Sequence, residues 1–238
     1  MTDPLADTET DAGPLTVDEL TTAQRRLVYE VSGHPAVPAV LFADHPSGVT
    51  VGREGSRLQV RLTDAQLVAR KLPLAFVPRG GGAMLHLPGQ VTCYPILPLG
   101  EFGVSPGEYA RALVKIAADV IAKYDVPVEA DDQAVTVRVR GRRIAHIGAA
   151  VRNSVSLFGL VLNVSPDLEL FRDVDVDGDP TPMTSLQRES ILRVHPSAVR
   201  QRLMTAVCDR FALRRAIVPT RRPLSILYTT RYAFAHRR

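Results

Sequence analysis

Three stretches of this 238-residue chain hold side chains that could do chemistry. The first is Arg79-Gly80-Gly81-Gly82, followed by His86 and Pro88-Gly89-Gln90. A glycine run can turn successive backbone N–H groups toward an anion such as a phosphate. An arginine and a histidine beside it could orient a carbonyl or phosphate oxygen, or simply bond the loop backbone. The second stretch runs from Gly141 to Leu186 and reads GRRIAHIG, FGLVLNV, DLELF, VDVDGD and TSL in order. Asn163, Asp173, Asp175, Asp177 and Asp179 stand where its apolar runs end. Polar groups held at strand ends by a rigid sheet are where sites are commonly built. The third is Cys93, in QVTCYPI, a thiol whose apolar surroundings read as those of a small buried hydrophobe.

Asp173-x-Asp175-x-Asp177-Gly178 imitates the first half of a calcium loop. Thr184 stands where such a loop needs its bidentate glutamate, and the flanks do not read as a helix pair. A solvated acidic turn, with no metal, is the expectation.

The elements that must position these groups follow from periodicity and caps. Thr16-x-x-Glu19 is a capping box opening a helix with Leu20, Ala23, Leu27 and Val31 on one face. Ser105-Pro106-Gly107-Glu108 combines a Ser cap, Pro at the first helical position and Glu three after the cap. It starts a helix whose stripe is Leu113, Ile116, Ala117, Val120, Ile121 and Tyr124. Pro196 precedes a third helix, 197–213. Shorter helices are expected over 64–71 and 184–193. Strands are expected over 36–42, 49–51, 58–62 (an edge), 72–77, 91–97, 135–139, 143–150 and 154–164, with a final one over 224–228. Strands and helices intermingle without strict βαβ alternation. That predicts an α+β fold: one domain with a mixed, mostly antiparallel sheet and flanking helices.

Bulk properties exclude several classes. No apolar run approaches the ~20 residues that span a bilayer, and the acidic N-terminus lacks the basic, then apolar, pattern of a secretory signal. A cytoplasmic protein is expected. Cys93 and Cys208 do not make a disulfide framework. The net charge of +4 is uneven: residues 1–20 carry six acids and no base, whereas 187–238 are Arg-rich with only Glu189 and Asp209 as acids. Such a region suits an acidic partner. Aromatics are 5% of the chain and do not interleave with basic residues, which argues against nucleic acid.

Taken together, the motifs resemble one family. Arg79-Gly-Gly-Gly, His86, Pro88-Gly89-Gln90 and Tyr94-Pro95-Ile96 resemble the RGGxxTYHGPGQxxxYPI signature of the lipoate octanoyltransferases, members of the lipoate and biotin ligase fold. Asp44-His45-Pro46 with Thr50-Val51-Gly52-Arg53 resembles EHPPxxTxGR. Gly141-x-Arg143-Ile144-Ala145-x-Ile147-Gly148 resembles GxKIAAIG. Gly159-Leu160-x-Leu162-Asn163-Val164, Asp167-Leu168-x-x-Phe171 and Thr184-Ser185-Leu186 follow in order. The likeness spans residues 20–213. It implies a catalytic-type domain over 16–213, after an acidic disordered tail (1–15) and before a basic extension (214–238). The implied activity is transfer of an octanoyl group from acyl carrier protein to a lysine of a lipoyl domain, by a monomer without cofactor. The implied substrate-binding residues are Arg79, Gly80, Gly81, Gly82, His86, Ala145, Ile147, Gly148, Phe158, Gly159 and Leu160.

The resemblance breaks at the reactive atoms. The family's lysine position is Arg143, its nucleophilic cysteine position is Asp177, the His of HGLALNV is Phe158, and the TY of the first signature is Met84-Leu85. A thiolate exchanges readily with a thioester, whereas a carboxylate would have to form an anhydride, uphill. Arginine, with a pKa above ~12, cannot take up a proton as a lysine can. Arg143 and Asp177 would instead form an inert charge-assisted pair, or stand apart as solvated charges. Three functions follow: an octanoyl- or lipoyl-binding protein with lost or attenuated transfer, a transferase or ligase in which the acceptor lysine attacks directly, and a basic nucleic-acid-associated module.

Overall fold

The computed structural model describes residues 14–33, 36–131, 133–216 and 225–231. The strands are β1 (Ala39–Phe42), β2 (Gly48–Val51), β3 (Leu74–Phe76), β4 (Ala83–His86), β5 (Gln90–Ile96), β6 (Val128–Asp131), β7 (Thr136–Val139), β8 (Arg142–Arg152), β9 (Val155–Asn163), β10 (Leu213–Ala216) and β11 (Ser225–Arg231). The helices are α1 (Val17–Val31), α2 (Asp64–Ala69), α3 (Leu99–Phe102), α4 (Pro106–Ala122), α5 (Leu186–Glu189) and α6 (Pro196–Arg210). An eight-stranded sheet runs β10-β11-β1-β5-β9-β8-β7-β6, and a small sheet runs β3-β2-β4. All these pairings are antiparallel except β2 with β3. The α+β expectation is therefore met.

Local sequence chemistry explains the helices. Thr16 and Ser105 each accept from the backbone N–H three residues on, and Glu19 and Glu108 reach back to complete both capping boxes. α4 buries Tyr109, Leu113, Ile116, Val120 and Ile121, each contributing about 1.5–3 kcal/mol relative to exposure. With α6 it covers one face of the large sheet, over Cys93, Ala145, Ile147 and Leu160. α1 covers the other face through Leu20, Leu27, Val28 and Val31 against Leu41, Tyr94, Ile96 and Phe158. The small sheet forms its own core with Val161, Phe171, Val174 and Val176. A space remains between the start of α1, the small sheet and the central strands.

Several expectations need correction. Residues 58–62 are not an edge strand: Arg57–Gln59 form a 3₁₀ turn capped by Ser56, and only Val60 bridges, to Val174. Leu58 is 88% exposed, so its alternation with Val60 marks no buried face. The helix expected over 184–193 is confined to Leu186–Glu189. β4 was not foreseen, because AMLH is buried on both sides and carries no alternation. β10 and β11 carry the large sheet past Leu213, with β11 paired to β1. The acidic tail expected over 1–15 lies outside the described residues up to residue 13; Leu15 is ordered, its N–H donating to the Asp44 carbonyl over 2.8 Å.

Candidate active site

The remaining space is a cavity of about 390 Å³, within the range of about 300–1,000 Å³ usual for small-molecule sites. Its apolar wall comes from Leu15, Val17 and Leu20 of the first helix region, Leu74, Ala75 and Val77, and Phe158 and Val161 of β9. His45, Thr50, Arg79, His86, Tyr94 and His146 supply the polar part. Phe158 lines the cavity without filling it. Met84 is fully buried in the small-sheet core instead. Phe158 holds φ 55°, a conformation costly for a bulky residue, and its carbonyl accepts from the Tyr109 hydroxyl at 3.3 Å.

The polar groups form two chains. His45 Nδ1–H donates to the Leu15 carbonyl (2.8 Å), which leaves Nε2 to accept from the Tyr94 hydroxyl (2.9 Å). Arg79 donates to the Thr50 carbonyl (3.2 Å) and hydroxyl (2.9 Å), and the same hydroxyl meets His86 Nε2 at 2.9 Å. Arg79 is 4% exposed, and among the described residues its hydrogen bonds run to Thr50 and to the Gly80 carbonyl, with no carboxylate among them. Burial, opposed by Asp177 at a distance, pulls its pKa down. Burial also pushes His86 well below the usual histidine range, with His45, Arg79 and His146 adding to the effect.

Behind this wall the expected pair is made. Arg143 Nη1 donates to Asp177 Oδ2 at 2.6 Å, and Nη2 reaches Asp179 Oδ2 at 3.3 Å. The same Asp177 oxygen accepts from His146 Nδ1 at 2.9 Å, and Oδ1 accepts from the Gly82 N–H at 2.7 Å. Burial works against ionising Asp177, but His146, Arg143 and the Gly82 N–H outweigh it and hold the carboxyl far below its ordinary range. Since an ionised carboxylate only accepts, His146 must carry its proton on Nδ1. Its Nε2 then bears a lone pair, is buried, and has no hydrogen-bond partner among the described residues. Burial lowers the pKa of His146, against the pull of Asp177 and with Arg79 and Arg143 assisting, so the ring is neutral near pH 7.

Two glycines make this arrangement possible. Gly81 has φ +77°, and a Cβ there would lie 2.6 Å from Asp177 Oδ1. A Cβ on Gly148 would lie 2.8 Å from Arg79 Cδ and 2.9 Å from His146 Nε2. The missing side chain thus lets both groups pack closely against β8 at the cavity wall.

Of the residues picked from sequence, Arg79, His86, Gly148, Phe158 and Gly159 line the cavity. Ala145, Ile147 and Leu160 do not; they belong to the helix-covered core, because alternation along β8 sends His146 and Gly148 one way and their neighbours the other. Gly80, Gly81 and Gly82 also stand outside the wall. The phosphate cradle expected there is largely engaged within the protein: the Gly80 N–H donates to the Ala149 carbonyl (2.7 Å) and the Gly82 N–H to Asp177. Cys93 is fully buried against α4 and α6, and burial raises its thiol pKa, so it is no nucleophile. The half calcium loop is dispersed among arginines: Asp173 pairs with Arg70 (2.5 Å), Asp175 with Arg61 (2.5 Å) and Asp177 with Arg143. Sequence reasoning passed over His146, and read His45, Thr50 and Tyr94 as motif residues without giving them a role in the site. For His146 a signal existed: a lone histidine inside an apolar strand, where GxKIAAIG has alanine.

Comparison with known proteins agrees with this architecture. The lipoyl protein ligase A/B catalytic-domain model matches residues 19–208. The chain is 36% identical over 150 residues to an octanoyltransferase of Syntrophobacter fumaroxidans, covering 63% of this chain and 66% of that one. It is 35% identical over 170 residues to an octanoyltransferase of Bacteroides fragilis (69% and 77% covered). It is 33% identical over 195 residues to one of Chloroflexus aggregans (80% and 88%). Among solved structures, a bipartite lipoate protein ligase from Thermoplasma acidophilum, described with its E2 lipoyl domain, superposes with a TM-score of 0.60 at 14% identity, covering 84% of each chain. A putative lipoate protein ligase of the same organism, with bound lipoic acid, gives 0.58 at 14% identity, covering 80% and 81%. This chain belongs to the octanoyltransferase family, within the lipoyl protein ligase A/B catalytic domain.

Proposed function

We propose that this protein works in lipoate metabolism by holding an octanoyl or lipoyl group in the cavity beneath α1, with transfer through an acyl-enzyme closed. The observation that carries this reading is the Arg143–Asp177 ion pair standing at the positions of the family's lysine and cysteine. The apolar wall of Leu20, Val77, Phe158 and Val161 suits a medium acyl chain. Arg79, cationic and bonded among the described residues to neutral oxygens, suits the polar end of the acyl group.

The partner is an acyl carrier protein or a lipoyl domain. Both are acidic, and the Arg-rich C-terminal third of the chain complements them. No helix among the described residues is long and apolar enough to cross a membrane.

Calorimetry with octanoyl carrier protein, at low and at raised salt, tests the binding half. Saturable binding that weakens with salt is expected, and no binding would sink it. Intact-mass measurement on the same mixture tests the closed route. The wild-type chain is expected to gain no octanoyl adduct, whereas Arg143→Lys combined with Asp177→Cys gains one. An adduct on the wild-type protein would refute the closure.

A further inference from the structure

We propose that His146 is a general base that lets an acceptor lysine attack the bound acyl thioester directly, with Asp177 and Arg143 as its positioning residues. This rests on the acyl-binding reading above.

His146 is 2% exposed and its ring forms part of the cavity wall. Its Nδ1–H is fixed by Asp177, which is itself fixed by Arg143 and the Gly82 N–H. The other nitrogen, with its lone pair, has no hydrogen-bond partner among the described residues. A buried acceptor left without a donor is costly, a penalty that an incoming N–H would remove. The ring packs over Gly148 beside Arg79, and all three line the cavity. A base oriented by a carboxylate, next to a cation, is the arrangement that acyl transfer without a protein nucleophile needs.

The substitutions also cohere. Where the family pattern has lysine, alanine and cysteine, this chain has Arg143, His146 and Asp177, and both Arg143 and His146 bond the Asp177 carboxylate. In the structure Asp177 does not reach the cavity. It serves the histidine that does.

The step balances without another reactant. The neutral ε-amine of the lysine adds to the thioester carbonyl carbon, forming the C–N bond, while Arg79 faces the oxygen that gains negative charge. His146 Nε2 takes a proton from that nitrogen. The C–S bond then breaks, and the departing thiolate receives the proton from His146. Thioester and amine give amide and thiol, with no ATP.

The test uses the full chain, octanoyl carrier protein and an apo lipoyl domain, followed by mass spectrometry of the lipoyl domain. The expected result is octanoyl-lysine formed without ATP and without an adduct on this protein. Both His146→Ala and His146→Gln should slow it by about 100-fold or more while octanoyl carrier protein still binds. Imidazole added to His146→Ala should recover part of the rate, a signature that a structural role would not give. The rate should fall on the acid side only below the usual histidine range, given that Asp177, Arg79, Arg143 and the buried His86 surround the ring. Binding without amide formation would overturn the inference and leave the binding reading intact; no binding would overturn both. Amide formation unchanged in both variants would show that His146 is not the base. Release of octanoic acid instead, lost with His146, would make water the acceptor and overturn the lysine.

Discussion

At the scale of single residues, the site is decided by one carboxylate. Asp177 sits in the left-handed region (φ 56°) and receives three donors, Arg143 and His146 from β8 and the Gly82 N–H from the turn before β4. A residue placed there must therefore be read through its neighbours. Arg143 is 7% exposed, and its charge is met by Asp177 and Asp179. Removing one partner of a buried pair leaves the other unmet, which costs about 3–5 kcal/mol. Arg143→Met should lower the unfolding free energy in urea by about that amount. Arg143→Met combined with Asp177→Leu should recover part of it, because two apolar groups need no counter-charge. A fully additive double variant would argue that the pair is solvated rather than buried.

At the scale of elements, β8 does two jobs on its two faces. Ile144, Ala145 and Ile147 help close the core under α4 and α6, while His146 and Gly148 face the cavity. Gly148 is the position where the strand yields packing for access. Gly148→Ala would place a methyl against Arg79 Cδ and His146 Nε2, and overpacking of this kind costs about 1–3 kcal/mol. Octanoate titrated calorimetrically should bind the variant at least tenfold more weakly, while near-UV circular dichroism still reports a packed fold. Equal affinity would mean that the wall beside Gly148 does not contact the chain. The entry to α1 matters in the same way: Leu15 before the cap, with Val17 and Leu20 in the first turn, forms a lid, and the Leu15 carbonyl anchors His45.

At the scale of the whole molecule, the buried histidines set its response to acid. His45, His86 and His146 all have folded-state pKa values below the ordinary 6.5, chiefly through burial. A depressed pKa means that the unfolded chain binds the proton first. The stability they allow is complete above about pH 6.5 and is lost as pH falls toward their folded values. Asp177, and Asp179 with a pKa near about 2, contribute a second loss starting below about pH 4. Urea midpoints followed from pH 8 to pH 3 should thus fall in two stages. The first stage should shrink in a His86→Gln variant. A flat profile between pH 7 and pH 5 would show that these rings are hydrated rather than buried.

Much of this was legible from the chain alone. Capping boxes at Thr16 and Ser105 and the apolar stripe of α4 report local physics, so helix starts were readable. The motif order from Arg79 to Leu186 fixed the fold class, since such spacing survives only on one scaffold. The replacement of lysine and cysteine by Arg143 and Asp177 was readable too, and so was their possible pairing across 34 positions. Tertiary structure alone decided the rest. Which face of β8 looks into the cavity depends on pairing with β9, so only folding separates His146 from Ala145 and Ile147. Whether glycine N–H groups are free depends on what packs behind them, and at Gly80 and Gly82 it is Ala149 and Asp177. Sequence determined which charges this protein carries; long-range packing determined which of them face a ligand, because burial and alignment are properties of the fold and not of any segment.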